Sequence, residues 1–336
     1  MSSVQELRWN PVLGEWVIVA SHRKERPVDS VEKRRCPFCP GSPEVEGEWE
    51  VLSLPNRFPS LVPNPPKPTR HRFYRTKPAR GVCEVILETR EHEGDLCDLT
   101  LERVKKVVDL YAERYSELGK LSYVKYVFIF RNKGEVIGVT LHHPHSQLYA
   151  LPFIPPVVAR ELKSSKRHYG EKGECLFCRI MKVEEEDAVR VVYENNDFIC
   201  FLPFYAKWPY ELHVYPKRHV QSLPELTENE RFWLADALRT VTATYNGLFD
   251  FSMPYIMSIH QKPTDGKSYD YYHLHVEFYP PYRSRDKLKY PAGIERGAGT
   301  WTYDATPEEK AEELRRAARK VEAGKTNTVK LINGNV

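Results

Sequence analysis

His143-Pro144-His145-Ser146-Gln147 carries two histidines one residue apart, and His273-Leu274-His275 repeats that spacing 130 residues further on. The same landmarks precede each pair in the same order. Upstream of the first stand Cys36-Pro37-Phe38-Cys39 and then His92; upstream of the second stand Cys175-Leu176-Phe177-Cys178 and then His219. The step from the single histidine to the pair is 51 residues in the first half and 54 in the second. The step from the cysteines to the single histidine is looser, 53 against 41. One duplicated unit whose surface loops differ in length accounts for both intervals.

The segments between these landmarks agree with a duplication. Leu99-Thr100 and Leu226-Thr227 each begin seven residues after the single histidine, and each opens a helical pattern. After Thr100, Leu101, Val104, Val108, Tyr111, Tyr115 and Leu118 recur at steps of three and four, the stripe of an amphipathic helix. After Thr227, Leu234, Leu238, Val241 and Tyr245 do the same, and Glu230 completes a capping box. Strand-like runs flank each helix: Val85-Ile86-Leu87 and Leu212-His213-Val214-Tyr215 before, Tyr126 to Phe130 and Tyr255 to Ile259 after.

The expected fold is α+β: two similar halves, 1–155 and 156–336, each with antiparallel strands and one long helix. The stretch 151–174, with Pro152, Pro155, Pro156 and a basic-serine cluster, reads as their connection. Thr306-Pro307-Glu308-Glu309 predicts a last helix, with an N-cap, a proline at the first helical position and a capping glutamate.

Composition narrows the function classes. The chain has 336 residues, 41% hydrophobic and 29% charged, enough to bury a core without cross-links. A net charge of +4 is too mild for a nucleic-acid partner and suits a small anionic substrate. The N-terminus lacks a basic region followed by an apolar stretch, and no apolar run approaches a membrane span. A cytoplasmic location is expected. In a reducing compartment, its two C-x-x-C pairs point to metal binding or redox chemistry before disulfides; Cys83, Cys97 and Cys200 are dispersed.

Two thiolates joined by two distant imidazoles make the tetrahedral set that zinc prefers. The first set is Cys36, Cys39, His92 and His143, a structural site with no open position. On a strand, His145 would project to the same face as His143 and be oriented by it. A neutral imidazole there can attack phosphorus, and Gln147, two residues on, can donate to a phosphoryl oxygen. On chemistry alone, nucleophile and further metal ligand stand level for His145.

The chain resembles the histidine-triad superfamily and, within it, the galactose-1-phosphate uridylyltransferase family. The resemblance runs from Gly14-Glu15-Trp16-Val17-Ile18-Val19 through Asn56-Arg57-Phe58-Pro59, Asn132-Lys133-Gly134 and His143-Pro144-His145-Ser146-Gln147. It continues through Trp208-Pro209-Tyr210-Glu211 and Pro216-Lys217-Arg218-His219 to Tyr272-His273-Leu274-His275 and Phe278-Tyr279-Pro280-Pro281. It implies that His145 takes UMP from UDP-glucose and passes it to galactose 1-phosphate, in galactose metabolism, with Gln147 stabilising the transferring group. It further places Thr140 and Asn132 near the phosphates and Asn56 near the nucleotide. Arg23 and Arg26 would come from the partner subunit of a homodimer, and Lys289 and Glu295 would meet the hexose 1-phosphate.

Three features depart from the family's pattern. Ser146 stands where many members have glycine. Thr300-Trp301-Thr302 lacks a glutamine that some members use on the hexose. For a second metal, zinc or iron, the resemblance offers Glu161, His260, His273 and His275, whereas the repeat offers Cys175, Cys178, His219 and His273. The two sets share His273, and the cysteine set is favoured because thiolates bind zinc more strongly. A phosphorylase or adenylyltransferase of the same superfamily is the nearest alternative, and a zinc-stabilised nucleotide-binding module without catalysis is a third reading.

Overall fold

In a computed structural model, which describes residues 4–25 and 36–333, the two halves share one sheet. In chain order the elements are β1 (Gln5–Asn10), β2 (Glu15–Ala20), β3 (Leu52–Pro55), β4 (Thr76–Pro78), β5 (Val82–Leu87), α1 (Leu101–Gly119), β6 (Tyr126–Lys133) and β7 (His145–Leu151). Then come α2 (Pro156–Lys172), α3 (Leu176–Asp187), β8 (Val191–Glu194), β9 (Phe198–Phe201), β10 (Leu212–Pro216) and α4 (Glu228–Phe249). The last are β11 (Tyr255–His260), β12 (His275–Tyr279), β13 (Tyr282–Ser284), β14 (Lys287–Leu288) and α5 (Pro307–Asn333).

Among the described residues nine strands form the sheet, in the order β3-β5-β7-β6-β11-β12-β10-β9-β8. Its strands pair antiparallel throughout, and β6 meets β11 at its centre, with Phe130 opposite Ser258. The duplicated halves are thus joined edge to edge, which pairs the strand that each half would otherwise leave open. A smaller sheet of β2-β1-β4 stands apart.

Alternation along the strands sorts two cores. Val127 and Ile129 of β6, with Leu148 and Ala150 of β7, face α1 and α4. Tyr126 of β6 and Leu151 of β7 face the opposite way, toward Val158 and Leu162 of α2 and Phe177 and Met181 of α3. Each such fully buried aliphatic side chain contributes roughly 1.5–3 kcal/mol relative to exposure. The predicted helices are present, and their caps are formed. Thr100 accepts from Arg103 N at 3.2 Å, and the capping boxes of Thr227 with Glu230 and of Thr306 with Glu309 are both made.

One element departs from expectation. The stretch 151–174 is mostly helix α2, not a loose connection. Pro156 opens it, where its missing N–H costs nothing, and Val158, Leu162 and Ser165 bury one narrow face. Among the described residues no helix is long and apolar enough to cross a membrane.

Candidate functional site

The sheet brings the predicted ligands together in each half. Cys36, Cys39, His92 and His143 place their ligand atoms within 4.8 Å of one another, and Cys175, Cys178, His219 and His273 do the same. In the first group Cys39 Sγ lies 3.3 Å from His92 Nδ1 and 3.7 Å from His143 Nδ1. In the second, Cys178 Sγ lies 3.3 Å from His219 Nδ1 and 3.5 Å from His273 Nδ1, and the two imidazole nitrogens are 3.3 Å apart. A zinc tetrahedron has sulfur–nitrogen edges of about 3.6 Å and nitrogen–nitrogen edges of about 3.3 Å, from its bond lengths. Both donor sets therefore fit the ion.

The outward nitrogens are fixed as well. His143 Nε2 meets the Thr89 carbonyl at 2.8 Å, and His273 Nε2 meets the Pro216 carbonyl at 2.9 Å, contacts that orient ligating imidazoles. The hydrogen bond from the Cys178 thiol, helped by His219 and His273, holds Cys175 well below the usual thiol range; the same pairing pushes Cys178 up. Burial lowers the pKa of His143 and of His273, which favours the neutral ring a metal needs.

β7 begins at His145, so His143 lies in the bend before it and the two rings do not share a strand face as expected. They are coupled through the backbone instead: Nδ1 of His145 is 2.7 Å from the carbonyl oxygen of His143. Phe38, between the two cysteines, packs its ring 5.4 Å from that of His145. His145 and Gln147 are two apart on β7 and share a face, and both are buried. His145 opens onto a cleft of about 260 Å³ whose walls include Asn132, Lys133, His142 and Ser252. Thr140, in the loop before the histidines, buries a hydroxyl with no hydrogen-bond partner among the described residues.

The remaining predicted residues separate into two places. Asn56 closes a turn by accepting from Phe58 N at 2.9 Å. Arg23 is half-buried, and its guanidinium donates to the Phe58 carbonyl and the Ser60 hydroxyl, both at 2.8 Å. Arg26 lies outside the described residues. Lys289 and Glu295, which look like surface charges in the sequence, are buried around Thr302. Lys289 donates to the Thr302 carbonyl, and Glu295 accepts from the Thr302 hydroxyl at 2.7 Å and from Ala292 N at 3.0 Å. The Thr302 hydroxyl holds the Glu295 pKa down to about 2. Neither residue lines the His145 cleft of the same chain.

His273 does not have to choose between two metals. It belongs to the cysteine group, and the acidic group is completed by Glu277: Glu161, His260, His275 and Glu277 lie within the same ligand spacing. His260 Nδ1 is 3.0 Å from Glu161, and His275 Nε2 is 3.5 Å from Glu277. Burial works to lower the His260 pKa, but the Glu161 and Glu277 carboxylates raise it to about 9. Burial would raise Glu277, yet His213, His260 and His275 hold it well below the usual carboxylate range. His275 Nε2 is buried without a hydrogen bond, and mixed carboxylate–imidazole donors suit zinc or iron, so this group also fits a metal. Glu277 escaped the sequence reading although it stands where Gln147 stands in the first half, two residues past the second histidine.

Residues 1–155 match the family described as galactose-1-phosphate uridyl transferase, N-terminal domain, and residues 161–326 match its C-terminal domain. The galactose-1-phosphate uridylyltransferase of Thermotoga maritima is 40% identical over 316 residues, spanning 93% of this chain and 98% of its own. That of Rattus norvegicus is 34% identical, over 94% and 88%. A solved uridylyltransferase structure superposes with a TM-score of 0.86 at 44% identity, covering 94% of this chain and 99% of that one. An ADP-glucose phosphorylase from Arabidopsis thaliana, solved with ADP-glucose bound, gives 0.72 at 26% identity, covering 92% and 98%. Family matches over both halves, together with relatives of matching length, agree with the paired histidine sites on the shared sheet: the chain belongs to the galactose-1-phosphate uridylyltransferase family.

Proposed function

We propose that the chain exchanges a uridylyl group between UDP-glucose and galactose 1-phosphate through a covalent intermediate on His145. The observation that carries this reading is the 2.7 Å contact between His145 Nδ1 and the His143 carbonyl. A carbonyl oxygen only accepts, so Nδ1 holds the proton and Nε2 of the neutral ring keeps its lone pair. That pair forms a bond to the α-phosphorus of UDP-glucose while the phosphorus–oxygen bond to glucose 1-phosphate breaks and its electrons leave with that oxygen. The ring becomes cationic, and the His143 carbonyl, accepting from Nδ1–H, offsets the charge. An anionic phosphate oxygen of galactose 1-phosphate then attacks phosphorus, the nitrogen–phosphorus bond breaks, and the ring is neutral again. Gln147 donates its amide to a phosphoryl oxygen as charge builds there.

Asn132 in the cleft wall and the unsatisfied Thr140 hydroxyl support phosphate binding beside His145. The separation of Lys289 and Glu295 from the cleft of their own chain supports a homodimer in which a second copy supplies the hexose loop. Zinc in the two cysteine–histidine groups holds the frame of each half. Zinc or iron is proposed at the Glu161, His260, His275 and Glu277 group.

Incubation with UDP-glucose labelled at the α-phosphate tests the reading. Acid-labile, alkali-stable label is expected on the protein and absent from His145→Ala; an unlabelled native protein would sink the intermediate. Galactose 1-phosphate should discharge the label as UDP-galactose. The likeness to an ADP-glucose phosphorylase favours a second reading, in which inorganic phosphate is the acceptor. Discharge by phosphate and not by galactose 1-phosphate would select it.

A further inference from the structure

The side of β7 facing away from His145 carries a buried polar group that the chemistry above does not use. Glu88, just past β5, is fully buried. Its backbone N–H donates to the Pro144 carbonyl at 3.2 Å, and its carboxylate accepts from the Ser146 hydroxyl at 2.5 Å. It therefore holds the residue before His145 and the residue after it. Arg131 fixes the carboxylate through Nε, 3.0 Å from both oxygens, and is itself buried. The Tyr111 hydroxyl closes the group against Ser146. From Arg131 the chain of contacts runs to Asp95 at 3.0 Å and on to Lys133 at 2.8 Å, so it ends in the wall of the cleft.

The second half shows what the same strands look like without this group. Strand register makes Gln147 equivalent to Glu277, and hence Ser146 to Val276 and Arg131 to Ile259. Val276 and Ile259 are buried and apolar, and β12 is held in place by them. Burying Glu88 and Arg131 carries a desolvation penalty that well-packed aliphatic residues avoid, so strand packing alone gives no reason for them. Their distinguishing feature is the grip on both neighbours of His145.

We infer that Glu88 is a positioning residue for the nucleophile: through Ser146 and the Pro144 carbonyl it fixes the peptides on both sides of His145, and so the direction of its imidazole, without touching substrate. The inference rests on the uridylyl-transfer reading. Ser146→Ala tests it most cleanly, because the Glu88–Arg131 pair stays intact. In single turnover with saturating labelled UDP-glucose, label formation should slow about tenfold, the worth of one charge-assisted hydrogen bond, while KM stays within about twofold. Glu88→Gln, which keeps an acceptor for Ser146, should retain more rate than Glu88→Ala. Tyr245→Phe removes another buried hydroxyl, which donates to the Tyr210 carbonyl at 2.8 Å, and should lower the melting temperature with the rate unchanged. Label formation at full rate in Ser146→Ala overturns the positioning role, as does a loss of rate and affinity in parallel. Absence of label from the unaltered chain instead overturns the transfer reading itself.

Discussion

The paired histidines at the start of β7 and of β12 are held by the same contacts but serve different neighbours. In each, the first imidazole faces a cysteine through Nδ1 and a backbone carbonyl through Nε2. In each, the second imidazole sets Nδ1 against the carbonyl of the first, at 2.7 Å for His145 and 2.9 Å for His275. A phenylalanine from the cysteine turn packs on both, Phe38 on His145 and Phe177 on His275. The difference lies two residues on. Gln147 is a neutral amide that can donate to an anion, whereas Glu277 is a carboxylate drawn into contact with His275, His260 and His213. In the function proposed above, one frame presents an imidazole either to a phosphoryl group or to a cation, with the charge at one position deciding which.

The largest test removes the second imidazole from each half. His145→Ala is expected to lower turnover by at least about 10⁴-fold, since the bond-forming atom is gone. His275→Ala should still take up label from UDP-glucose while losing the metal of the acidic group; equal loss of labelling in both variants would mean that His145 has no role that His275 lacks. Exchanging the deciding residue comes next. Gln147→Glu places a carboxylate against the transferring phosphoryl group and should reduce kcat by about 10²–10³-fold. Glu277→Gln should empty the acidic group of metal and leave both cysteine groups loaded, as metal analysis of the purified protein would record.

Cys36→Ser and Cys175→Ser should each lose one equivalent of zinc. Only the first loosens His143, whose carbonyl meets His145, so Cys36→Ser should slow label formation by roughly 10–100-fold and Cys175→Ser by much less. Equal slowing would mean that zinc supports the whole sheet and not the nucleophile in particular.

The halves, their helices and both cysteine–histidine groups were legible in the sequence because their signals are local: a two-residue cysteine spacing, a helical apolar stripe, a capping residue three positions from its partner. What the sequence hid depends on pairing across the sheet. The stretch containing Glu161 looks like a connection because three prolines precede a basic-serine cluster, yet prolines before and at a first helical turn are compatible with α2. His273 stands in both candidate ligand sets until the fold gives it to the cysteines and gives Glu277 to the acidic group. Lys289 and Glu295 look exposed because nothing in their own segment announces Thr302 as their shared partner. Glu88 and Arg131 are 43 residues apart, and only the sheet makes them a pair.

The two long helices differ at their N-termini. α1 is capped by Thr100 alone, whereas α4 has Thr227 with Glu230, and Arg218 bonds the Glu230 carboxylate at 2.7 Å and 2.8 Å. Those bonds lower the Glu230 pKa from the ordinary 4.5 to about 2. A carboxyl whose folded value is depressed stabilises the fold above its unfolded value, and that contribution fades as pH falls from about 4.5 toward about 2. Glu230→Gln should therefore be less stable than the unaltered chain by about 1 kcal/mol near neutral pH, the scale of a helix cap. Denaturant titrations at about pH 6 and about pH 3 should show that gap narrowing on acidification. A gap of constant size would mean that the amide fails on geometry and that the charge on Glu230 contributes nothing.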